Sequence, residues 1–325
     1  MRVLIADKFD DAGVRGLEDA GCDVSVRPEL DAQSLPDALA EHKSETLIVR
    51  STKVPASALE SASSLRLIIR AGSGYDNIDS SFAAERGVPV CNCPGMNAVA
   101  VAELTMGLLL TLDRRIPDQV GALRDGQWNK KAFSKSRGLK GRSLLVIGAG
   151  AIGTEVIRRA QAFGMRVACQ SRSLREDTSV ALGIEPIPYS REALFEALPR
   201  MDAVSVHVAL VEETKNLCDA RFFEAIKPGA YFINTSRGDV VDESALARAI
   251  EAKGVRAGLD VYQDQPSFKE GAWRTPMAEL DAVFGTHHCG ASTDQAQLAV
   301  AEETVRIVRE FKDSGRVLHC VNGVA

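Results

Sequence analysis

An arginine, a glutamine and a histidine stand in three short polar stretches of this 325-residue sequence. Arg237 lies in Asn234-Thr235-Ser236-Arg237-Gly238, Gln265 in Asp260-Val261-Tyr262-Gln263-Asp264-Gln265-Pro266, and His288 in His288-Cys289-Gly290-Ala291-Ser292-Thr293. A guanidinium stays charged at any working pH and pairs bidentately with a carboxylate. An imidazole near its unperturbed pKa gives or takes a proton. The three stretches have the chemistry of hydride transfer to an anionic acid. Each follows an expected strand, where an open α/β sheet places its ligands. His287 competes with His288 for the acid/base role.

A hydride needs a carrier, and residues 144–163 have the order of one binding site for it: an apolar strand, then Gly148-Ala149-Gly150-Ala151-Ile152-Gly153, then a helical pattern. The first glycine permits the tight turn and the second lets the backbone approach a pyrophosphate. The third allows helix and strand to pack closely, while the helix N-terminus offers free N–H groups. An acidic residue at the end of the next strand would bind a ribose hydroxyl and repel a 2′-phosphate. The strand at 166–169 instead leads into Gln170, Ser171, Arg172 and Ser173, with Arg175 close behind. Hydroxyl and guanidinium donors suit a phosphate, so NADP is favoured over NAD. The competing reading leaves Arg172 and Arg175 solvated and binds NAD through Gln170 or Ser171.

These residues need elements to carry them. Short β-branched runs at 3–6, 46–49, 67–69, 144–147, 166–169, 203–206, 231–233 and 256–259 alternate with helical patterns. The alternation predicts βαβ units, parallel sheets and an α/β fold. The first series ends at 89–93, a helix over about 97–112 leads to the second, and a helix over 294–311 could return to the first domain. The polar, basic segment 124–141 reads as a crossing or exposed loop. The length calls for two domains.

A net charge of −5 gives no global attraction for nucleic acid or an acidic membrane, and neither partner is expected. Seven cysteines without Cys-x-x-Cys spacing argue against a disulfide framework and a zinc site, so reduced thiols and no metal are expected. Asp7 and Lys8 interrupt the place where a signal peptide needs its apolar run. The run at 104–112 is too short to cross a bilayer, and the cytoplasm is the expected location.

Together with Arg70-Ala71-Gly72-Ser73-Gly74-Tyr75-Asp76-Asn77-Ile78-Asp79, Val49-Arg50-Ser51-Thr52-Lys53-Val54, Val101-Ala102-Glu103-Leu104, Asp125-Gly126-Gln127-Trp128 and the segment 290–297, these motifs resemble the D-2-hydroxyacid dehydrogenase family. The phosphoglycerate dehydrogenase-like branch is the nearest in pattern, and the resemblance covers nearly the whole chain. It implies a flavodoxin-like substrate domain from 1–97 and 291–325, with an inserted Rossmann NAD(P)-binding domain from 98–290 and the site in a cleft between them.

The resemblance also implies roles. Arg237 would grip the substrate carboxylate and polarise the C2 oxygen, with His288 as acid/base. Gly148, Gly150, Ala151, Ile152, Gly153, Ser171, Arg172, His207, Ala209, Thr214, Thr235, Ser236, Asp260 and Ala291 would contact the cofactor. Ser73, Gly74 and Asn97 would hold the acid, and Arg50, Arg70 and Lys135, with Lys130 and Lys131 nearby, would meet a second anionic group. A 3-phosphoglycerate-like acid is the leading substrate, with sulfonated, phosphonated or dicarboxylic three-carbon acids as alternatives. A homodimer is expected, and serine feedback is not. A non-catalytic NAD(H)-sensing corepressor is the competing class of function.

One departure stands out. The family has Glu before the Pro of its Asp-Val-x-x-x-Glu-Pro segment, and this chain has Gln265. An amide orients the ring without stabilising imidazolium by charge. At an ordinary pKa near 6.5, His288 would be only about a quarter protonated at pH 7. Gln265 is therefore expected to favour hydroxy-acid oxidation near neutrality and to push the optimum for reduction to lower pH. Formate dehydrogenases, a distant branch, also pair Gln-Pro with the histidine, but this chain lacks their extra length.

Overall fold

The computed structural model describes residues 1–266, 268 and 270–324. The chain folds as two compact units, Met1–Asn97 with Ala291–Ala325, and Ala98–Gly290. Ala325, the last residue of the expected substrate domain, lies outside the described residues.

The first unit is built on β1 (Arg2–Ile5), β2 (Asp23–Val26), β3 (Thr46–Val49), β4 (Leu67–Arg70) and β5 (Val90–Asn92). All pair in parallel in the order β2-β1-β3-β4-β5. That order is the flavodoxin-like one, with its reversal between β1 and β3. β3 is buried at every position because helices cover both sheet faces, which is why it reads as a continuous apolar run. The helix Asp294–Ser314 sets Val300, Val305, Ile307 and Val308 into the same core as Val3, Ile5 and Leu17. Truncating one such side chain, Ile307→Ala for example, removes about 2–5 kcal/mol of stability. The Thr293 side chain caps the start of this helix by accepting from Ala296 N–H at 3.2 Å, and Gly315 ends it at φ 74°.

The second unit contains β6 (Ser143–Ile147), β7 (Arg166–Gln170), β8 (Glu185–Ile187), β9 (Ala203–Val206), β10 (Tyr231–Asn234), β11 (Arg256–Leu259) and β12 (Val283–Gly285). The sheet is parallel, in the order β12-β11-β10-β9-β6-β7-β8. This is the doubly wound Rossmann arrangement, with its switch point between β6 and β9.

Sequence periodicity misses β2, β8 and β12. All three are edge strands of three or four residues with mostly exposed or half-exposed side chains, so no apolar run announces them. The helix expected over 97–112 runs Ala98–Arg114, where Arg115 turns left-handed at φ 52°. A further helix, Ile116–Arg124, buries none of its residues. No helix among the described residues is long and apolar enough to cross a membrane.

Candidate active site

The glycine turn follows β6 directly. A Cβ at Gly148, where φ is 100°, would lie 2.4 Å from the His207 carbonyl oxygen, and one at Gly153 would lie 1.9 Å from the Gly148 oxygen. Both positions therefore exclude any larger residue. A Cβ at Gly150 would meet nothing within 4 Å, so this glycine keeps open the space a pyrophosphate needs. The helix Ala151–Ala162 has no side-chain cap, which leaves its first-turn N–H groups for an anion.

Across the switch point, His207 directly follows β9. Its Nε2 lies 2.8 Å from Ser205 Oγ, while Nδ1 is buried without a hydrogen-bond partner among the described residues. Burial pushes this imidazole down to about 3, so the ring is neutral at working pH. The open cradle at Gly150 and the unpartnered nitrogen past the neighbouring strand β9 fit a dinucleotide. Thr214 shapes the next loop by donating to Ala209 O at 2.6 Å and accepting from Val211 N–H at 2.9 Å.

Past β7, Ser171 Oγ lies 3.3 Å from Ser173 Oγ, and Arg172 and Arg175 are exposed. Gln170 is corrected as a ribose ligand. It is buried, and its amide donates to Pro188 O at 2.7 Å and Ser190 O at 2.9 Å, which ties β7 to the chain beyond β8.

The three polar stretches occupy neighbouring carboxyl ends, at β10, β11 and β12. Asn234, fully buried, organises the first: its oxygen accepts from Ser236 N–H at 3.0 Å and Ser236 Oγ at 2.7 Å, and its amide donates to Arg237 O at 2.8 Å. Thr235 is pinned separately, its Oγ1 lying 3.1 Å from Thr105 Oγ1. Gly238 then touches the second stretch, since a Cβ there would lie 2.1 Å from the Tyr262 carbonyl.

Asp260 holds the third stretch. Its carboxylate accepts from Thr286 Oγ1 at 2.6 Å, Cys289 N–H at 2.9 Å and Gly290 N–H at 2.9 Å, and its carbonyl accepts from His288 N–H at 2.8 Å. These bonds carry His288 in a left-handed conformation, φ 51°, that a non-glycine residue adopts only when its surroundings impose it. Asp260, expected as a cofactor contact, here spends its carboxylate on orienting the histidine loop. The positioning roles of Asn234 and Asp260 were missed in the sequence, where the only signal is a polar residue directly after each strand.

Gln265 completes the arrangement. Its Oε1 accepts from Tyr262 N–H at 3.3 Å, and its Nε2 lies 2.7 Å from His288 Nδ1. With the amide oxygen committed to the backbone, the amide N–H faces Nδ1. Nδ1 is then the acceptor, and the neutral ring carries its proton on Nε2. With its proton there, the ring presents a donor at Nε2.

In the first unit, Arg50, Arg70 to Gly74 and Asn97 follow the adjacent strands β3, β4 and β5. Asp7, past β1, accepts from Arg50 N–H at 2.7 Å, Thr52 N–H at 3.1 Å and Ser51 Oγ at 2.8 Å. Arg50 Nη1 reaches Gln297 Oε1 at 3.4 Å, and the Arg70 guanidinium folds back over Gly72. Ser73 Oγ donates to Asn97 Oδ1 at 2.8 Å.

Lys135 is corrected. It lines a cavity of about 320 Å³ with Asp113, Arg137, Tyr231 and Arg256, at the amino ends of β10 and β11 and away from Arg237 and His288. The Asp113 carboxylate anchors that segment there by accepting from Arg137 N–H at 3.1 Å and Gly138 N–H at 3.0 Å. All seven cysteines are free, and among the described residues no cluster of three or more His, Cys, Asp or Glu could hold a metal.

Comparison with known proteins agrees with this geometry. The family model of the D-isomer specific 2-hydroxyacid dehydrogenase NAD binding domain matches residues 106–290. A hydroxypyruvate reductase of Thermotoga maritima is 39% identical over 274 residues, covering 83% of this chain and 85% of the relative. A D-3-phosphoglycerate dehydrogenase of Methanocaldococcus jannaschii is 36% identical over 315 residues, 95% of this chain and 58% of the relative. This chain thus spans little more than half the length of the curated phosphoglycerate dehydrogenases it matches. Among solved structures, an NADPH-dependent glyoxylate/hydroxypyruvate reductase of Sinorhizobium meliloti, in complex with NADP and malonate, aligns with a TM-score of 0.84 at 27% identity over 98% of this chain and 96% of that one. The chain belongs to the D-isomer specific 2-hydroxyacid dehydrogenase family.

Proposed function

We propose that the protein passes a hydride between a nicotinamide cofactor and C2 of a small anionic 2-hydroxy or 2-oxo acid. The observation that carries this reading is the convergence of the Arg237, Gln265 and His288 stretches on adjacent strand ends of the sheet that also bears the open glycine turn. NAD(P), when bound, supplies or accepts the hydride. Gly148, Gly150, Ala151, Ile152, Gly153, His207, Ala209, Thr214, Thr235 and Ser236 are assigned to holding it, with Ser171 and Arg172 taking the adenosine 2′-phosphate of NADP. The Arg237 guanidinium binds the substrate carboxylate and polarises the C2 oxygen. His288 exchanges the proton at that oxygen, and Gln265 and Asp260 orient its ring. Ser73, Gly74 and Asn97 are assigned to the acid.

A 3-phosphoglycerate-like acid is favoured by the Arg50 and Arg70 guanidinium groups, which suit a second anionic group. Hydroxypyruvate or glyoxylate is the second reading. It is supported by the Thermotoga relative, matched over most of its length, and by the Ser171-Arg172 pair together with the NADP-bound Sinorhizobium structure. The exposed side chains of Ile116, Val120, Leu123 and Trp128 support a homodimer. Initial rates with NAD(H) and NADP(H) against 3-phosphoglycerate, hydroxypyruvate, glyoxylate, sulfolactate and D-lactate test the assignment. Binding of NADPH with no turnover of any acid would instead favour a nicotinamide sensor.

A further inference from the structure

Cys91 and Cys320 stand opposite one another where β5 pairs antiparallel with the tail that follows the last helix. The flanking backbone bonds run from Asn92 N–H to His319 O at 3.3 Å and from Val321 N–H to Val90 O at 2.8 Å. They make this a non-hydrogen-bonded pair, whose Cα atoms lie about 4.5 Å apart with both side chains on one face. A disulfide spans Cα separations of about 4.4–6.8 Å.

Asn322 fixes the register by accepting from Val90 N–H at 3.0 Å and donating to Val88 O at 2.9 Å. The Cys320 thiol, half-buried, reaches Val324 O at 2.9 Å and Asn322 Oδ1 at 3.2 Å, and Cys91 is fully buried. Cys93, just past β5, is engaged elsewhere, by Thr304 Oγ1 at 3.5 Å and Val300 O at 3.8 Å. The proposed hydride chemistry uses none of these thiols.

We propose that Cys91 and Cys320 form a thiol modification site, converted to a disulfide by a small disulfide oxidant such as glutathione disulfide. The Cys320 thiolate attacks the oxidant, forming a mixed disulfide and releasing one small thiol. Cys91 then loses its proton, attacks the Cys320 sulfur and expels the second. Two protein thiols are oxidised, one small disulfide is reduced to two thiols, and the protons leave with them. Burial pushes the Cys91 thiol up to about 12, so the closing step is slow, and the same burial shields the finished bond from reductants. The bond would latch the tail to β5 next to Asn92, whose amide donates to Ser73 O at 2.6 Å.

The full chain is incubated with glutathione disulfide, the remaining thiols are alkylated, and the digest is mapped by mass spectrometry. Cys289 is exposed and reports, as a mixed disulfide, that the oxidant has acted. The expected result is a peptide containing Cys91 joined to one containing Cys320, lighter by two hydrogens, with loss of both from the alkylated pool. Cys320→Ser, at the more exposed partner, abolishes the joined peptide and leaves Cys91 alkylatable after denaturation. Recovery of Cys91 and Cys320 unlinked while Cys289 is modified overturns the proposal, whether Cys320 is then a free thiol or a persistent mixed disulfide.

Discussion

The side-chain amide of Gln265 lies 2.7 Å from Nδ1 of His288, and its oxygen is turned away toward the Tyr262 N–H. An imidazolium would turn a second N–H toward that amide N–H, so Gln265, unlike a carboxylate, offers Nδ1–H no acceptor. Gln265→Glu supplies a carboxylate that accepts from Tyr262 N–H and from a protonated Nδ1 together. The pH above which reduction declines is expected to rise by about 1 unit or more, and Nε2 becomes free to act as base in oxidation. Profiles of kcat/KM in both directions read this; an unmoved reductive limb sinks the assigned role of Gln265.

Arg237→Lys keeps the charge and loses the fork that meets a carboxylate with two parallel bonds. A fall in kcat/KM for the acid of about 100-fold or more is expected, with cofactor affinity unchanged. Steady-state kinetics beside fluorescence titration of NADPH separate the two effects. An equal loss in both would mean that Arg237 acts on the loop and not on the acid.

Asp260→Asn keeps one acceptor of the carboxylate that now takes three donors. Misplacing an acid/base group by about 1 Å costs on the order of 100-fold in turnover, so kcat should fall far more than the dissociation constant of the cofactor rises. If the cofactor constant moves by as much as kcat, the carboxylate is a nucleotide ligand first and an orienting group second.

Arg172→Ala should raise the KM for NADP by about 10-fold or more and leave that for NAD nearly unchanged, because only the 2′-phosphate offers a dianion to the guanidinium. Ser171→Asp should invert the preference by repelling that phosphate and accepting from a ribose hydroxyl. Matching losses for both cofactors in either variant would remove Ser171 and Arg172 from the specificity determinant.

Asp202 governs part of the acid stability of the second unit. Burial raises its carboxyl, but the Lys227 ammonium at 2.7 Å, the Ser143 N–H at 3.0 Å and the Ser143 hydroxyl at 3.1 Å outweigh it and hold the group well below the usual carboxylate range. A lowered folded-state pKa stabilises fully above the unfolded value of about 3.9, and the contribution disappears as pH falls below it. Asp202→Asn should lower the unfolding free energy at pH 7 by about 1–3 kcal/mol and flatten its decline below pH 4. Denaturant titrations at pH 7, 5 and 3 measure both.

Much of the molecule could be read before folding. The glycine turn, the buried strands and the three polar stretches show in one dimension, because turn chemistry and burial on both sheet faces impose residue types at fixed local spacing. No apolar run marks β2, β8 or β12, since an edge strand is stabilised by the partner it joins and needs none of its own; β12 is expected from the sequence only as an unbounded strand before the His288 stretch.

The sequence by itself determined which groups are available: Arg237, Gln265 and His288 past strands, and Ser171 and Arg172 where an acidic residue would bind a ribose hydroxyl. Tertiary structure decided what those groups do. It sent the Gln170 amide to the chain beyond β8, Lys135 to the amino ends of the sheet, the Asp260 carboxylate to the histidine loop and the Gln265 oxygen to Tyr262. Hydrogen-bond commitment depends on which acceptors the fold brings within about 3 Å, and those partners lie up to 30 residues away in the chain.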